Sequence, residues 1–161
     1  MSKSLVIRVA DRTDCGTILN FIRHLADYEK LSHEVIATEA LLEEEIFAHN
    51  SHVQVLIAEW NKQAVGFALY FYNFSTFLSR KGIYLEDLFV LPEMRGKGIG
   101  KSLLKRLAEI AVENQCGRVE WSVLDWNKPA IDFYKSLNAV PMDEWTVYRL
   151  TGEALKNFAN S

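Results

Sequence analysis

The segment Arg95-Gly96-Lys97-Gly98-Ile99-Gly100-Lys101-Ser102 sets three glycines and three cationic side chains directly ahead of a helical pattern. Glycine lets a backbone approach a ligand closely, a helix start offers unpaired N–H groups with a partial positive charge, and Arg95, Lys97 and Lys101 add full charges. This combination predicts a site for a phosphate-bearing ligand. A plain solvated turn does not require alternating glycines, which cost conformational entropy. Two other phosphate loops match less well. A Walker A loop ends as Gly100-Lys101-Ser102 does, but Arg95 stands where its first glycine belongs. A dinucleotide fingerprint needs Gly-x-Gly-x-x-Gly after the first strand of a parallel unit. Here the third glycine comes one place early and an antiparallel hairpin precedes it, with Glu120 as the one partial match for the ribose-binding acid.

A second chemical signal is the pair Glu86-Asp87 inside the apolar run Ile83 to Leu91. An unpaired carboxylate in such a strand is costly, so the pair points to proton transfer or cation binding; the other reading is that one of them faces solvent at a sheet edge. Successive strand residues face opposite sides, so a regular strand delivers one of the two to a given cleft, and both only if a bulge intervenes. Asn127, ahead of Lys128-Pro129, reads as a helix N-cap, and Tyr134 lies in the helix behind it. A phenol of pKa about 10 stays protonated at neutral pH and can act as a proton donor. His24, His33, His49 and His52 show no ligand spacing, and Cys15 and Cys116 form no CxxC pair, so neither a metal site nor a disulfide framework is expected.

The scaffold for these groups reads as one domain over 1–161, since 161 residues of which 49% are hydrophobic supply a single sizeable core. With 24% charged residues, 8 glycines and 3 prolines, collagen-like, low-complexity and disordered classes are excluded. The longest uncharged aromatic-aliphatic stretch, Ala64 to Phe77, is shorter than the roughly 20 residues of a bilayer span. Met1-Ser2-Lys3-Ser4 lacks the apolar centre of a signal peptide. A cytoplasmic protein without a membrane partner is therefore expected. A net charge of -3 gives no general attraction to nucleic acid, and none is expected as a partner.

Along the chain, Leu5 to Val9 reads as a strand, followed by a helix capped by Asp11 or Thr13 with Ile18, Leu19, Ile22, Leu25 and Ala26 on one face. Thr38 caps a second helix, Glu39 to about Ala48. Val53 to Trp60 and Ala64 to Phe74 form an antiparallel hairpin, and Ile83 to Leu91 follows a Ser75-to-Gly82 loop. Ile99, Leu103, Leu107, Ile110 and Ala111 make one stripe of a helix over Gly98 to Asn114. Val119 to Leu124 is a strand, Pro129 to Leu137 a helix ended by Asn138, Trp145 to Leu150 a final strand, and a terminal helix starts from Thr151. The sum is an α/β protein with a mixed sheet: an antiparallel N-terminal meander, a parallel C-terminal strand pair and flanking helices.

Arg95-x-x-Gly98-x-Gly100, following Tyr84-Leu85-Glu86-Asp87-Leu88-Phe89-Val90, resembles the acetyl-CoA loop of the Gcn5-related N-acetyltransferase (GNAT) family. The resemblance continues through Val123-Leu124-Asp125-Trp126-Asn127 and Ala130-Ile131-Asp132-Phe133-Tyr134-Lys135-Ser136-Leu137. Tyr28-Glu29-Lys30-Leu31-Ser32, Phe67-Ala68-Leu69-Tyr70, Tyr84-Leu85-Glu86-Asp87 and Leu124-Asp125-Trp126-Asn127 are similar to the spermidine/spermine acetyltransferase branch, its thialysine acetyltransferase members in particular.

The resemblance implies the GNAT acyl-CoA N-acyltransferase fold and transfer of acetyl from acetyl-CoA to a primary amine of a small molecule by direct attack in a ternary complex. The acceptor would be thialysine, a lysine-like amine, a diamine or a polyamine, and no metal is implied. It further implies cofactor contacts at Leu88, Phe89, Val90, Arg95, Gly96, Lys97, Gly98, Ile99, Gly100, Lys101, Asn127 and Tyr134. Glu86 would be the base, through a water, and Tyr134 the acid. Tyr28, Glu29, Glu86 and Asp87 would form an acidic mouth for the amine, and the family's members are commonly homodimers. The loop Asn73 to Lys81 carries Arg80 and Lys81 and no carboxylate, which favours a small or zwitterionic amine over a tri- or tetra-cation. A nucleotide-binding domain using Gly100-Lys101-Ser102 is the rival reading.

Overall fold

Five runs rich in β-branched and aromatic residues pair into one sheet in chain order: β1 (Leu5–Val9), β2 (Val53–Trp60), β3 (Gln63–Ser75), β4 (Arg80–Val90) and β5 (Val119–Trp121). The computed structural model describes residues 4–161, and the reading of Met1-Ser2-Lys3 lies outside the described residues. The described chain falls into two compact units, one ending at Ser122 and the other Val123–Ser161.

In the first unit β1 to β4 pair antiparallel, and β5 lies parallel to β4 after the crossover helix α3 (Ile99–Glu113). The β3–β4 ladder runs out to Ser75 opposite Arg80, so the expected Ser75-to-Gly82 loop shrinks to residues 76–79. Sheet pairing extends through polar residues there because each added backbone pair satisfies donors and acceptors whatever the side chain. Val55, Ile57, Phe67 and Phe89 pack with Ile18, Phe21 and Ile46 from helices α1 (Cys15–Tyr28) and α2 (Glu39–Ile46). Leu56, Ala58 and Ala68 are buried as well, as alternation requires of a sheet covered on both faces. Of the predicted face of α3, Ile99, Leu103, Leu107 and Ala111 are buried; Leu104 joins them and Ile110 is only partly buried.

The start of α1 is tied down by charge. The Asp14 carboxylate accepts from Arg8 Nη1 and Nη2, both at 2.8 Å, and from the Asp11 amide at 2.8 Å. The Arg8 guanidinium holds that carboxyl below its ordinary pKa. Thr38 caps α2 through the Leu41 amide, as predicted.

The second unit contains α4 (Lys128–Ser136) and α5 (Gly152–Ala159). Asn138 takes the left-handed conformation, φ 66°, just past α4. Two expected elements change. Among the described residues, the strand read over Val119 to Leu124 pairs only over Val119–Trp121, and Trp145 to Leu150 joins no ladder. Strand propensity is local, but a strand exists only when another edge accepts its hydrogen bonds.

Candidate active site

The register of β4 shows how both carboxylates reach one cleft. Leu69 pairs with Asp87 while the next residue of β3, Tyr70, pairs with Leu85, so Glu86 is the extra residue of a β-bulge. The bulge suspends the alternation, and Glu86 and Asp87 both line a cleft of about 410 Å³.

The facing wall comes from the end of α1 and the chain that follows. Ile22, Leu25 and Ala26 project from α1, and the backbone then reverses at Lys30, φ 62°, with the Leu31 amide bonded to the Ala26 carbonyl at 2.8 Å. This left-handed closure is the common way to end a helix. It delivers Glu29, Leu31, Glu34 and the extended Val35-Ile36-Ala37 to the cleft. Glu34 and the Val35–Ala37 wall are not predicted from sequence as site residues; the one available signal is that aperiodic apolar triplet between two helices.

The lining thus carries four carboxylates, Glu29, Glu34, Glu86 and Asp87, and no basic side chain. Asp87 is partly buried. Loss of water first, then the charges of Glu86 and Glu29, raises its pKa to about 7. Burial also pushes Glu29 upward. Glu86 is exposed. The group placed to exchange a proton near neutrality is therefore Asp87, the neighbour of the residue that the resemblance singles out. Tyr28 is not among the lining residues; its ring lies 4.9 Å from the Arg95 guanidinium carbon.

Beyond the bulge β4 has a free side. β5 pairs with Ile83, Tyr84 and Leu85 and stops there, so among the described residues Asp87 to Val90 have a strand partner only in β3. Such an edge can accept an extended, amide-bearing ligand as an added strand, the part expected of Leu88, Phe89 and Val90. The chain then turns through Pro92–Met94 into the glycine loop.

Gly96 and Gly98 adopt φ 80° and 78°, and a Cβ at either would meet nothing within 4 Å. Backbone conformation, not crowding, therefore selects glycine there. Gly98 is the N-cap of α3, and the first intrahelical bond runs from the Ser102 amide to the Gly98 carbonyl at 3.0 Å. The amides of Ile99, Gly100 and Lys101 precede that bond and suit an anion. The cations are disposed differently from the simplest expectation. Arg95 donates from Nε to the Val90 carbonyl at 3.2 Å and lies over the Tyr28 and Phe89 rings, and Lys97 lies 5.4 Å from the Trp60 ring centre. Lys101 is exposed in the first turn of α3.

In the second unit Asn127 is buried, and its side-chain oxygen accepts from the Ala130 amide at 3.4 Å, so the predicted cap is present. Tyr134 is partly buried in α4, its ring 5.7 Å from that of Phe133. Among the described residues no cluster of His, Cys, Asp and Glu could hold a metal ion.

Residues 19–139 match the Acetyltransferase (GNAT) family. A thialysine N-epsilon-acetyltransferase of Sus scrofa is 42% identical, covering 97% of this chain and 98% of that protein. An L-ornithine N5-acetyltransferase of Arabidopsis thaliana is 32% identical over 93% of this chain and 86% of that one. Among solved structures, an integron cassette protein from the mobile metagenome of V. cholerae superposes with a TM-score of 0.83 at 33% identity, covering 98% of this chain and 99% of that one.

Proposed function

The chain belongs to the GNAT family of acetyltransferases, and from that footing we propose that its acceptor is a small primary amine of the thialysine, lysine or short-diamine kind, bound in the four-carboxylate cleft. It is an enzyme that transfers acetyl from acetyl-CoA to an amine, and nothing supports the nucleotide reading of Gly100-Lys101-Ser102. The observation that carries the proposal is the bulge that turns both Glu86 and Asp87 into an acidic cleft beside the unpaired edge of β4. Relatives named for thialysine and L-ornithine support the acceptor class, as does the absence of any carboxylate from Asn73 to Lys81.

Acetyl-CoA, when bound, supplies an acetyl group activated as a thioester. The open Leu88–Val90 edge fits its amide-bearing arm, and the amides ahead of α3 fit its pyrophosphate, with Asn127 as a further contact. Glu29 and Glu86 hold the ammonium of the acceptor. Asp87 takes the proton: an alkyl ammonium has a pKa of about 10.4, and a base near 7 closes roughly half the gap left by an ordinary carboxylate near 3.9. In the family-based reading Glu86 instead relays that proton through a water. Tyr134 provides the proton that the departing sulfur takes up. No metal, nucleic acid or membrane takes part. The enzyme works as a homodimer in the cytoplasm, where its two free thiols, Cys15 and Cys116, are stable.

Release of free thiol from acetyl-CoA, followed with thialysine, lysine, ornithine, putrescine, spermidine and spermine, tests the acceptor class. The expected order of kcat/KM puts the first four above spermine; spermine as the best acceptor, or silence toward all six, overturns it. The glycine loop has its own test. Gly98→Ala forces a Cβ into a left-handed backbone at a cost on the order of 1–2 kcal/mol, so calorimetry is expected to show acetyl-CoA binding weakened about tenfold. Gly98→Asn, which tolerates that conformation, should lose less.

A further inference from the structure

Glu34 is the one carboxylate of the cleft that the acetyl-transfer chemistry leaves without a task. It stands at the end of the short turn Ser32–Glu34, which the backbone holds by itself: the Glu34 amide donates to the Leu31 carbonyl at 2.9 Å and the Val35 amide to the Ser32 carbonyl at 3.3 Å. The side chain plays no part in that turn. Among the described residues, none of the four cleft carboxylates takes part in a side-chain hydrogen bond or ion pair, whereas Asp14, outside the cleft, is clasped by Arg8 at 2.8 Å. Carboxylates that share a cavity with no cation of their own are set to receive one from outside.

The four do not act as one cluster. The charges that raise Asp87 are those of Glu86 and Glu29, and Glu34 is not among them. Glu29 is raised by burial alone. Glu34 is also exposed, on the open side of the cleft. Every other lining residue is aliphatic, and one of them, Ile36, is 84% exposed. The cleft thus offers one anionic group centred on Asp87, a second anionic position at Glu34, and apolar surface besides.

We propose that Glu34 is a specificity-determining residue: it holds the second, non-reacting cation of the acceptor while the reacting nitrogen lies at Glu29, Glu86 and Asp87. The aliphatic lining covers the chain that joins the two. The ligand class is a primary amine with a second ammonium across a short alkyl or thioether spacer, which describes the α-ammonium of a lysine-like acceptor and the far end of a diamine alike. A cation at that far end is attracted by Glu34, a methyl group gains nothing from it, and a carboxylate is repelled. The lining has no cationic, amide or hydroxyl side chain that would receive a far-end carboxylate. Because the second cation is remote from the bond being made, its contact is equal in ground and transition states, and it acts on KM and not on kcat.

This inference rests on the acetyl-transfer reading of the cleft, and the test separates the two. Cadaverine, hexylamine and ε-aminocaproate share a primary amine and a similar length but end in a cation, a methyl group and an anion. Thiol release from acetyl-CoA is followed with each of them and with thialysine. The expected wild-type order of kcat/KM is cadaverine, then hexylamine, then ε-aminocaproate. Glu34→Gln should raise KM for cadaverine about three- to tenfold, the effect of one charged contact at a partly solvated site. Its kcat should stay within about twofold and hexylamine should be unaffected. Glu34→Lys should lower the ratio of cadaverine to ε-aminocaproate further than Glu34→Gln does, again with hexylamine unaffected, which also shows that the variant folds. A wild type that prefers hexylamine to cadaverine or acetylates thialysine alone, equal losses for cadaverine and hexylamine in Glu34→Gln, or a preference that neither variant changes overturns the role of Glu34 and leaves acetyl transfer standing. Silence toward every amine, thialysine included, overturns the reading beneath it.

Discussion

Replacing Asp87 by Asn is expected to lower kcat/KM for the amine by about 10²–10⁴-fold, the usual worth of a positioned general base, and to raise stability at pH 8. Both effects come from one cause. The Asp87 carboxyl is held near pKa 7 because ionising it strands a charge in a poorly hydrated site beside Glu86 and Glu29. Only the ionised form accepts a proton, so kcat/KM of the wild type should rise as pH passes through about 7, and the Asn variant should lack that limb.

The stability effect has the opposite sense. A carboxyl whose folded pKa lies above its unfolded value, about 3.9, favours the folded state fully below that value and loses the contribution as pH rises through the folded pKa. The wild type therefore gives up stability between about pH 4 and pH 7. At about 1.4 kcal/mol per decade of proton affinity, the loss is on the order of 2–4 kcal/mol. Asp87→Asn, which never ionises, should escape it. Urea unfolding at pH 4 and pH 8 checks the sign: the advantage of the variant should be small at the lower pH and large at the higher. An advantage independent of pH, or a variant with full activity, removes Asp87 from its role.

The second large effect is expected at Tyr134. Tyr134→Phe should lower kcat by about 10²–10³-fold while leaving acetyl-CoA affinity within threefold, because the change deletes one hydroxyl and keeps the ring that packs near Phe133. Proton transfer from a phenol of pKa about 10 to a thiolate of pKa about 8.5 is uphill by about 2 kcal/mol on unperturbed values. It is useful because it prevents return of the leaving group at the moment the amide forms. Single-turnover kinetics separates this from a binding defect. Loss of acetyl-CoA affinity in proportion to kcat would mean that Tyr134 holds the cofactor and supplies no proton.

Gly98 and Asn127 show why much of this molecule is legible without coordinates. A left-handed N-cap, a side-chain cap before Lys128-Pro129 and the stripe of α3 are local or periodic features, set by residue type within a few positions. The same holds for the existence of the β2–β3 hairpin, where β-branched and aromatic runs flank a polar turn, while its pairing includes a register shift at Ala58/Glu59 that the sequence analysis does not foresee. Glu86 and Asp87 mark the difference. Their types announced chemistry, but whether one or both would face a cleft depended on a bulge, and a bulge is a property of the β3–β4 ladder that neither strand encodes alone.

The rest of the cleft belongs to the same class. Glu34 and Val35–Ala37 become site residues only because the chain reverses after α1 and lays them opposite β4. The Asp87 pKa follows from burial and from two neighbouring charges, one of them, Glu29, remote in sequence. Trp145 to Leu150 is the clearest case of all: its strand propensity is written in the chain, and whether it becomes a strand depends on an edge that lies elsewhere. Residue types and their spacing thus determined the family, the glycine loop ahead of α3, the helices and the list of candidate acids and bases, because these rest on short-range sterics, periodic burial and local motifs. Only the tertiary structure decided which carboxylates share a cleft, which of them holds its proton near neutrality and which strand goes unpaired, because register, desolvation and partner edges arise from contacts between distant parts of the chain.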